Sequence, residues 1–290
     1  MPSGDPVYAQ DLMDTLRHMW FNDMYKELVF YMEACESGSM FEGLLPSDVN
    51  IYATTAANSE ESSYGTYCGL ESSVDGTMIG SCLGDLYSVN FLENSDVPSL
   101  FHTETLDSQF SLLKNETSKS HVQKFGSESM GMEPIDWFQG ATHFPSVDVE
   151  YGDRAAEVAG IRSPKHGVNS RDIKLHVLDH YRAVATSQQS AAYFEERIEE
   201  ESAARRKAWR LFRDIVQETI GGGPAPLLTG PLTAHSCLKH ASTAVTASCG
   251  PWNDYSLRFV RDIAALCEAG HPALTIAAAA EKFCPQEMAA

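Results

Sequence analysis

The chain has no run of about 18 consecutive apolar residues, so no segment of it reads as a membrane span. Its first residues, MPSGDPVYAQDL, lack both the basic flank and the apolar middle of a secretion leader. Basic residues are scarce: 21 Lys and Arg face 40 Asp and Glu, a formal net charge of -19. Such a charge opposes binding to nucleic acid or anionic membrane and suits a protein that works in acid, where carboxylates begin to neutralise. No internal repeat, metal-ligand set or cofactor motif is visible.

What is present is enough for two domains: 290 residues, 43% hydrophobic and 10% aromatic, ordinary values for a globular protein. Leu12, Leu16, Met19 and Trp20 fall at helical spacing. LVFYM (28 to 32) and Ile51 to Thr55 read as strands, and CLGDLYSVNFLEN as a further short segment with Asp85 beside a glycine. Strand, helix and strand in this order suggest a sheet covered by helices. Leu106, Phe110 and Leu113 mark another helix, which ends at KNETSKS. Asn115 there begins an Asn-Glu-Thr glycosylation sequon in a polar loop, usable if the chain is secreted.

From about 126 to 170 Gly, Pro, Ser and Asp dominate without periodicity, and the segment reads as a linker or long loop. Beyond it, residues 188 to 220 form one long helical pattern, acidic in its first half and basic in its second, which suits the helix dipole; GGGPAP stops it. In the last 65 or so residues Leu257, Val260, Ile263, Ala264 and Cys267 share a helix face, as in a small bundle whose core gains from cross-links.

Seven cysteines occur: Cys35, Cys68, Cys82, Cys237, Cys249, Cys267 and Cys284. Six can pair and leave Cys35 as the odd thiol, or all seven can be reduced and buried. Cys35 follows the LVFYM strand, and in parallel α/β sheets reactive groups cluster beyond the carboxyl ends of strands. A cysteine nucleophile needs a base, a cation or a helix N-terminus to form its thiolate. The turn after it, with Ser37, Gly38 and Ser39, can offer backbone N–H groups to a developing oxyanion.

VFYMEACESGS, NIYATTAANSEESSYGTYC, CLGDLYSVNFLENSD and SHVQKFG resemble the legumains, the asparaginyl endopeptidases or vacuolar processing enzymes, and their plant branch in particular. The likeness is dense from Asp11 to Gly126 and looser, though collinear, through the C-terminal cysteines. It implies an α/β fold: part of a caspase-like sheet with flanking helices over residues 1–126, a linker and activation helix over 127–225, and an all-α disulfide-bonded prodomain over 226–290. Cys35 matches the nucleophile; Glu33 and Asp85 match the acids of the pocket for the residue before the scissile bond; Ser62 and Ser63 match the serines bordering it. Carboxylates in that pocket suit asparagine, whose primary amide offers two N–H donors.

The resemblance further implies disulfides Cys68–Cys82, Cys237–Cys267 and Cys249–Cys284, no cofactor or metal, and a vacuolar or lysosome-like acidic compartment despite the missing leader. Its partners would be proteins or peptides with Asn at the cut, and its own helical prodomain, held over the site by the linker at neutral pH and freed in acid by cleavage; Asn169 is a candidate cut. The pattern breaks upstream. The family's catalytic histidine belongs to an Asp-His-Gly stretch before the segment MPSGDPVYAQDL, and none of the ten histidines replaces it: His18, His102 and His121 read as surface or core residues. The resemblance also leaves without a match the first strands of the sheet, the arginine that completes the asparagine pocket and the glycine amide that completes the oxyanion hole. The expectation is therefore an endopeptidase cutting after Asn, less readily Asp, in vacuolar protein processing, with negligible activity from this chain alone. The alternative is a non-catalytic binding or inhibitory fragment.

Overall fold

The computed structural model describes residues 6–75, 77–96, 104–140 and 166–284. The chain divides into two compact units, Met1–Ile173 and Lys174–Ala290.

The strands all lie in the first unit: β1 (Leu28–Met32), β2 (Ile51–Thr55), β3 (Tyr64–Thr66), β4 (Ser73–Val74), β5 (Thr77–Met78), β6 (Gly84–Asp85), β7 (Gln123–Gly126) and β8 (Val168–Asn169). β1 and β2 run parallel, with Leu28 opposite Ile51 and Met32 opposite Thr55. β7 joins the other side of β2 antiparallel, so the sheet is mixed and β2 is its middle strand. A second small sheet has the order β6-β3-β8, and β4 pairs with β5. IYATT, dense in β-branched and aromatic residues, suits the middle position and is buried along its whole length, whereas every residue of β1 is half-buried.

Alternation along β2 divides the core. Ile51 and Ala53 face a cluster with Met13, Leu16 and Phe41, which seats α1 (Ala9–Phe21) on one side. Tyr52 faces the other side and packs with Leu106, Met130 and Ile135. Two helices follow the second sheet, α2 (Leu86–Ser95) and α3 (Leu106–Glu116), and α3 opens with a reciprocal cap between Thr105 and Ser108. Gly126 closes β7 at φ 89°, where a Cβ would overlap the Ile51 carbonyl oxygen.

Several sequence expectations change in this unit. Of CLGDLYSVNFLEN only Gly84–Asp85 is strand; from Leu86 on it is helix, because Leu86, Tyr87, Asn90 and Asn94 repeat at helical spacing and are buried. Residues 127–140, read as linker, pack instead: a 3₁₀ turn over Glu128–Met132 and a short helix α4 (Asp136–Gln139) bury Met130 and Ile135. Residues 141–165 lie outside the described residues. Asn115 sits exposed in the last turn of α3 and not in a loop, while Thr117 of its sequon is buried and accepts a hydrogen bond from Asn90.

The second unit is helical. α5 (Ile173–Ala183) begins at the division, followed by α6 (Gln188–Ile220), α7 (His235–Cys249), α8 (Val260–Glu268) and α9 (Ala273–Phe283). α6 starts on a Ser187/Ser190 cap and stops at Gly221, whose φ of 66° an L side chain adopts only under strain. Phe212, Ile215, Val245, Ile263, Leu266 and Ile276 form its core, with the Phe212 ring stacked 4.6 Å from Phe259. Leu257 does not join the Ile263 and Cys267 face and is 43% exposed: residues 256–259 are 3₁₀, and three residues per turn shift the phase of the pattern. Disulfides link Cys237 to Cys267 and Cys249 to Cys284 here, and Cys68 to Cys82 in the first unit, the pairs the resemblance implies. Among the described residues no helix is long and apolar enough to cross a membrane.

Glu268, at the end of α8, caps the start of α7: its carboxylate accepts from the N–H groups of Thr233 (2.5 Å) and Ala234 (2.6 Å). Those N–H groups hold its carboxyl below the usual range. A depressed carboxyl stabilises the fold above its unfolded pKa and loses that contribution as pH falls through its folded value. Glu268→Ala is expected to lower urea stability at pH 7 by about 1 kcal/mol, a difference that narrows in strong acid; equal stability at pH 7 would refute the cap.

Candidate functional site

β1 and β2 are parallel neighbours, so the chain leaves both at the same edge of the sheet. The N–H of Ala56 extends the ladder by one bond to Met32 O (3.0 Å), after which the two loops diverge and must satisfy each other. From β1 run Glu33, Ala34 and Cys35; Glu36 then turns at φ 51°, a left-handed value uncommon for a side chain with a Cβ, into a 3₁₀ turn over Ser37–Met40. The Gly38 N–H donates to Ala57 O at 3.0 Å and the Glu36 N–H to Glu61 O at 2.7 Å, while Ser37 Oγ is bonded to both backbone groups of Ala57. A Cβ on Gly38 would lie 2.9 Å from the backbone of Asn58 and Ser59, so this turn is wedged against the loop that follows β2.

Cys35 is half-buried and is the free thiol; the six other cysteines are bonded in pairs. Its Sγ lies 3.6 Å from the Oγ of buried Ser63. Ser62, beside it, is half-buried. Glu33 turns toward the first turn of α2, where its Oε2 accepts from both the N–H and the hydroxyl of Ser88 at 2.9 Å. Its Oε1 is buried and has no hydrogen-bond partner among the described residues. Burial pushes the Glu33 carboxyl up to about 7, against the pull of the Ser88 N–H and of the Ser88 and Ser63 hydroxyls and with a further push from the charge of Asp85. Asp85 arrives from the second sheet, opposite Gly65 and next to the Cys68–Cys82 bridge, and burial raises its carboxyl too. The structure thus gathers Glu33, Cys35 and Ser63 from the carboxyl edge of the first sheet and brings Asp85 within electrostatic reach of Glu33.

The segment after residue 165 lies against the same place. β8 pairs antiparallel with β3, Asn169 opposite Tyr64. The Ser170 N–H donates to Ser63 O at 3.0 Å, Ser170 Oγ is 3.1 Å from Ser63 Oγ, and the buried Arg171 guanidinium bonds Glu36 at 2.5 Å. Asn169 Oδ1 accepts from the Arg171 N–H at 3.0 Å, so its side chain is engaged with its own backbone. Ser88, Glu61, Ser170 and Arg171 were not singled out from the sequence: each reaches the site through a fold contact between distant segments, and GVNSRD offers only a turn signal.

One expectation narrows on the geometry. Of the amides in the turn after Cys35, Gly38 donates to Ala57 O and Ser39 to Glu36 O, because the 3₁₀ turn and the wedge against the neighbouring loop consume them. Those two are not free for an oxyanion. Of the histidines considered as bases, His18 is exposed on α1 and contacts Asn22, His121 is exposed and bonded to Glu61, and His102 lies outside the described residues. Among the described residues no imidazole is hydrogen-bonded to Cys35, and no cluster of three or more His, Cys, Asp or Glu could hold a metal ion.

Residues 1–141 match the model of the peptidase C13 family, and residues 229–284 that of the legumain prodomain. The chain is 35% identical over 298 residues to a vacuolar-processing enzyme of Vicia sativa, covering 98% of this chain and 60% of the relative. It is 34% identical over 291 residues to a legumain of Mus musculus, covering 97% and 62%, and 42% identical over 174 residues to a hemoglobinase of Schistosoma japonicum. The chain therefore spans about three-fifths of the length of the first two.

The raised Glu33 carboxyl has a measurable consequence. With a folded pKa of about 7, above its unfolded value, the folded state binds the extra proton between those values, so stability is fully present below the unfolded pKa and lost as pH rises through about 7. Wild type is expected to lose roughly 3 kcal/mol of unfolding free energy between pH 4.5 and 7.5 that Glu33→Gln does not lose; parallel pH profiles for the two proteins would contradict this.

Proposed function

The chain belongs to the legumain family of C13 peptidases, and from that premise we propose that Cys35 is the nucleophile of a cysteine endopeptidase that cuts after Asn and, less readily, Asp. The observation that carries the reading is the buried Glu33 Oε1 without a partner, two residues from the free thiol and within electrostatic reach of Asp85. A primary amide has two N–H donors, and a bound Asn side chain gives Oε1 the hydrogen bond it otherwise lacks. Glutamine carries the same amide one methylene further out, past these acceptors.

In the proposed reaction Cys35 Sγ bonds to the carbonyl carbon of the Asn residue, the C–N bond breaks, and the amine leaves with a proton. Water then hydrolyses the thioester, releasing the new carboxyl end and restoring the thiol. A base must take the thiol proton first, because the thiolate is the nucleophile. With Ser63 as the hydrogen-bond partner of Cys35 and no imidazole bonded to it among the described residues, this chain by itself is proposed to turn over substrate negligibly.

Residues 168–171 support a linker segment that covers this chain's own site. It is bonded to Ser63 and Glu36 and antiparallel to β3, and we infer that it occupies the place of a substrate strand. Cutting at Asn169 requires the segment to leave first, since its side-chain oxygen is taken by the Arg171 N–H. The division into a peptidase part (1–126), a linker with activation helix (127–225) and a prodomain (226–290) belongs to this proposal. So do its own prodomain as partner, protein substrates, modification of exposed Asn115 and an acidic vacuolar or lysosomal compartment. The three disulfides support an oxidising, endomembrane route.

An electrophilic peptide ending in Asn labels Cys35 without requiring turnover. Labelling is expected to exceed that by the Gln counterpart by about tenfold, to vanish in Cys35→Ala and to accelerate in Arg171→Ala. Equal labelling by the two peptides would remove the amide pocket, and an unchanged rate in Arg171→Ala would remove the inhibitory segment. Alkylator-sensitive cleavage of an Asn-linked fluorogenic peptide in acid at rates of a competent protease would show that the chain has found a base.

A further inference from the structure

Glu61 makes none of the contacts with Cys35 or Glu33 described above, yet three N–H groups converge on its carboxylate. Oε1 accepts from the N–H of Asn58 (3.0 Å) and of His121 (2.6 Å), and Oε2 lies 2.8 Å from His121 Nδ1. The same residue's carbonyl accepts the Glu36 N–H at 2.7 Å, the amide next to Cys35. Asn58 Oδ1 in turn takes the Glu60 N–H at 2.8 Å. One side chain therefore folds residues 58–61 on themselves, ties them to the segment entering β7, and aims a carbonyl at the turn that carries the thiol. Two residues further on, Ser63 presents its hydroxyl to Cys35.

The arrangement is more than a surface ion pair. The Glu61 side chain is 24% exposed against 74% for His121, and two of its three donors are backbone groups fixed by the fold. Burial raises the Glu61 carboxyl, but the Asn58 N–H and both donors of His121 outweigh it and hold the group below the usual range. Neighbouring bonds fix the other end of the segment: Ser120 Oγ donates to Ala56 O at 2.6 Å, and Gln123 Nε2 to His121 O at 3.0 Å.

We propose that Glu61, held by Asn58 and His121, is a positioning residue for the thiol, setting the loop from Asn58 to Ser63 so that the Ser63 hydroxyl meets Cys35. The proposal rests on Cys35 being the reactive centre, as argued above, and concerns what places a hydroxyl beside it. Ser63 Oγ lies 3.6 Å from Cys35 Sγ and 3.1 Å from Ser170 Oγ; with its proton turned to sulfur it stabilises a thiolate, and that is the interaction the alkylation experiment reads.

Cys35 is the one free cysteine, so a small alkylating reagent reports on it alone in the intact full-length chain, whether or not the chain cleaves peptides. The readout is the pH midpoint of the alkylation rate, with retention of the three disulfides and a cooperative melt as the check of folding. Ser63→Ala and Glu61→Ala are both expected to raise the midpoint, His121→Ala to raise it less, and Glu61→Gln, which keeps an acceptor, to fall between wild type and Glu61→Ala. In the Ser63→Ala background, Glu61→Ala is expected to add nothing. If Glu61→Ala fails to fold, His121→Ala decides, since its exposed side chain can be removed without disturbing the core. A midpoint that stays at the wild-type value in the folded variants overturns the proposal, as does a Glu61 effect that persists without Ser63. Failure of the Asn-peptide labelling with a shifted midpoint would instead remove the proposed specificity and leave the positioning role standing.

Discussion

Two parallel strands that end side by side leave a row of backbone amides and carbonyls with no ladder to enter. In β1 and β2 the problem is solved by locking the departing loops together: Ala56 to Met32, Gly38 to Ala57, Glu36 to Glu61. Each bond satisfies a buried group that would cost about 1–3 kcal/mol if left alone. The solution dictates the local shape. Gly38 must be glycine because the loops touch there, and Glu36 must accept a left-handed turn to bring its N–H to Glu61. Cys35 sits between these anchors, and its placement follows from the closure of the loops.

The same closure explains an energetic tension. Glu33 is carried by its strand into a site where only one of its two carboxylate oxygens finds partners, and burial then disfavours its charge. A residue serving stability alone would be replaced by an apolar one at such a place. Its cost is offset elsewhere: by Ser88 at the first turn of α2, which gives Oε2 two donors, and by the Cys68–Cys82 bridge, which steadies the hairpin delivering Asp85.

Much of this was legible in the sequence where the signal was local. The periodicity of Leu12, Leu16 and Met19, the β-branched IYATT and the capped, glycine-terminated helix from Gln188 to Ile220 all carry their own evidence within a few turns of chain, and the structure has each as expected. Signals failed where partners were remote or geometry was a matter of a few degrees. Leu257 left its predicted face because one 3₁₀ turn changed the phase, and residues 128–139 packed although their composition resembles a linker. The amides of Gly38 and Ser39 were visible as residues, but their hydrogen bonds go to Ala57 and to Glu36 in a turn, a matter of tertiary closure. Arg171 is the clearest case: nothing in GVNSRD announces that its guanidinium is buried against Glu36, 135 positions away.

The charge, too, acquires a location. Of 40 acidic and 21 basic residues, 27 and 9 fall within 1–173, a formal charge of -18, leaving -1 for 174–290. Self-repulsion is therefore concentrated in the unit that carries Cys35, and neutralising carboxylates relieves it there. Individual groups lean the same way. Glu33 and Asp85 in the first unit are raised and gain from acid, while Glu201 and Glu268 in the second are depressed by their partners and lose from it. The rule has exceptions on both sides, Glu61 and Asp107 in the first unit and Asp262 in the second. Glu61 is the instructive one: with Asp107 it runs against the lean of its unit, because the Asn58 N–H and the donors of His121 hold its carboxyl below the usual range, so the group that ties down the loop beside the thiol resists protonation where Glu33 and Asp85 favour it.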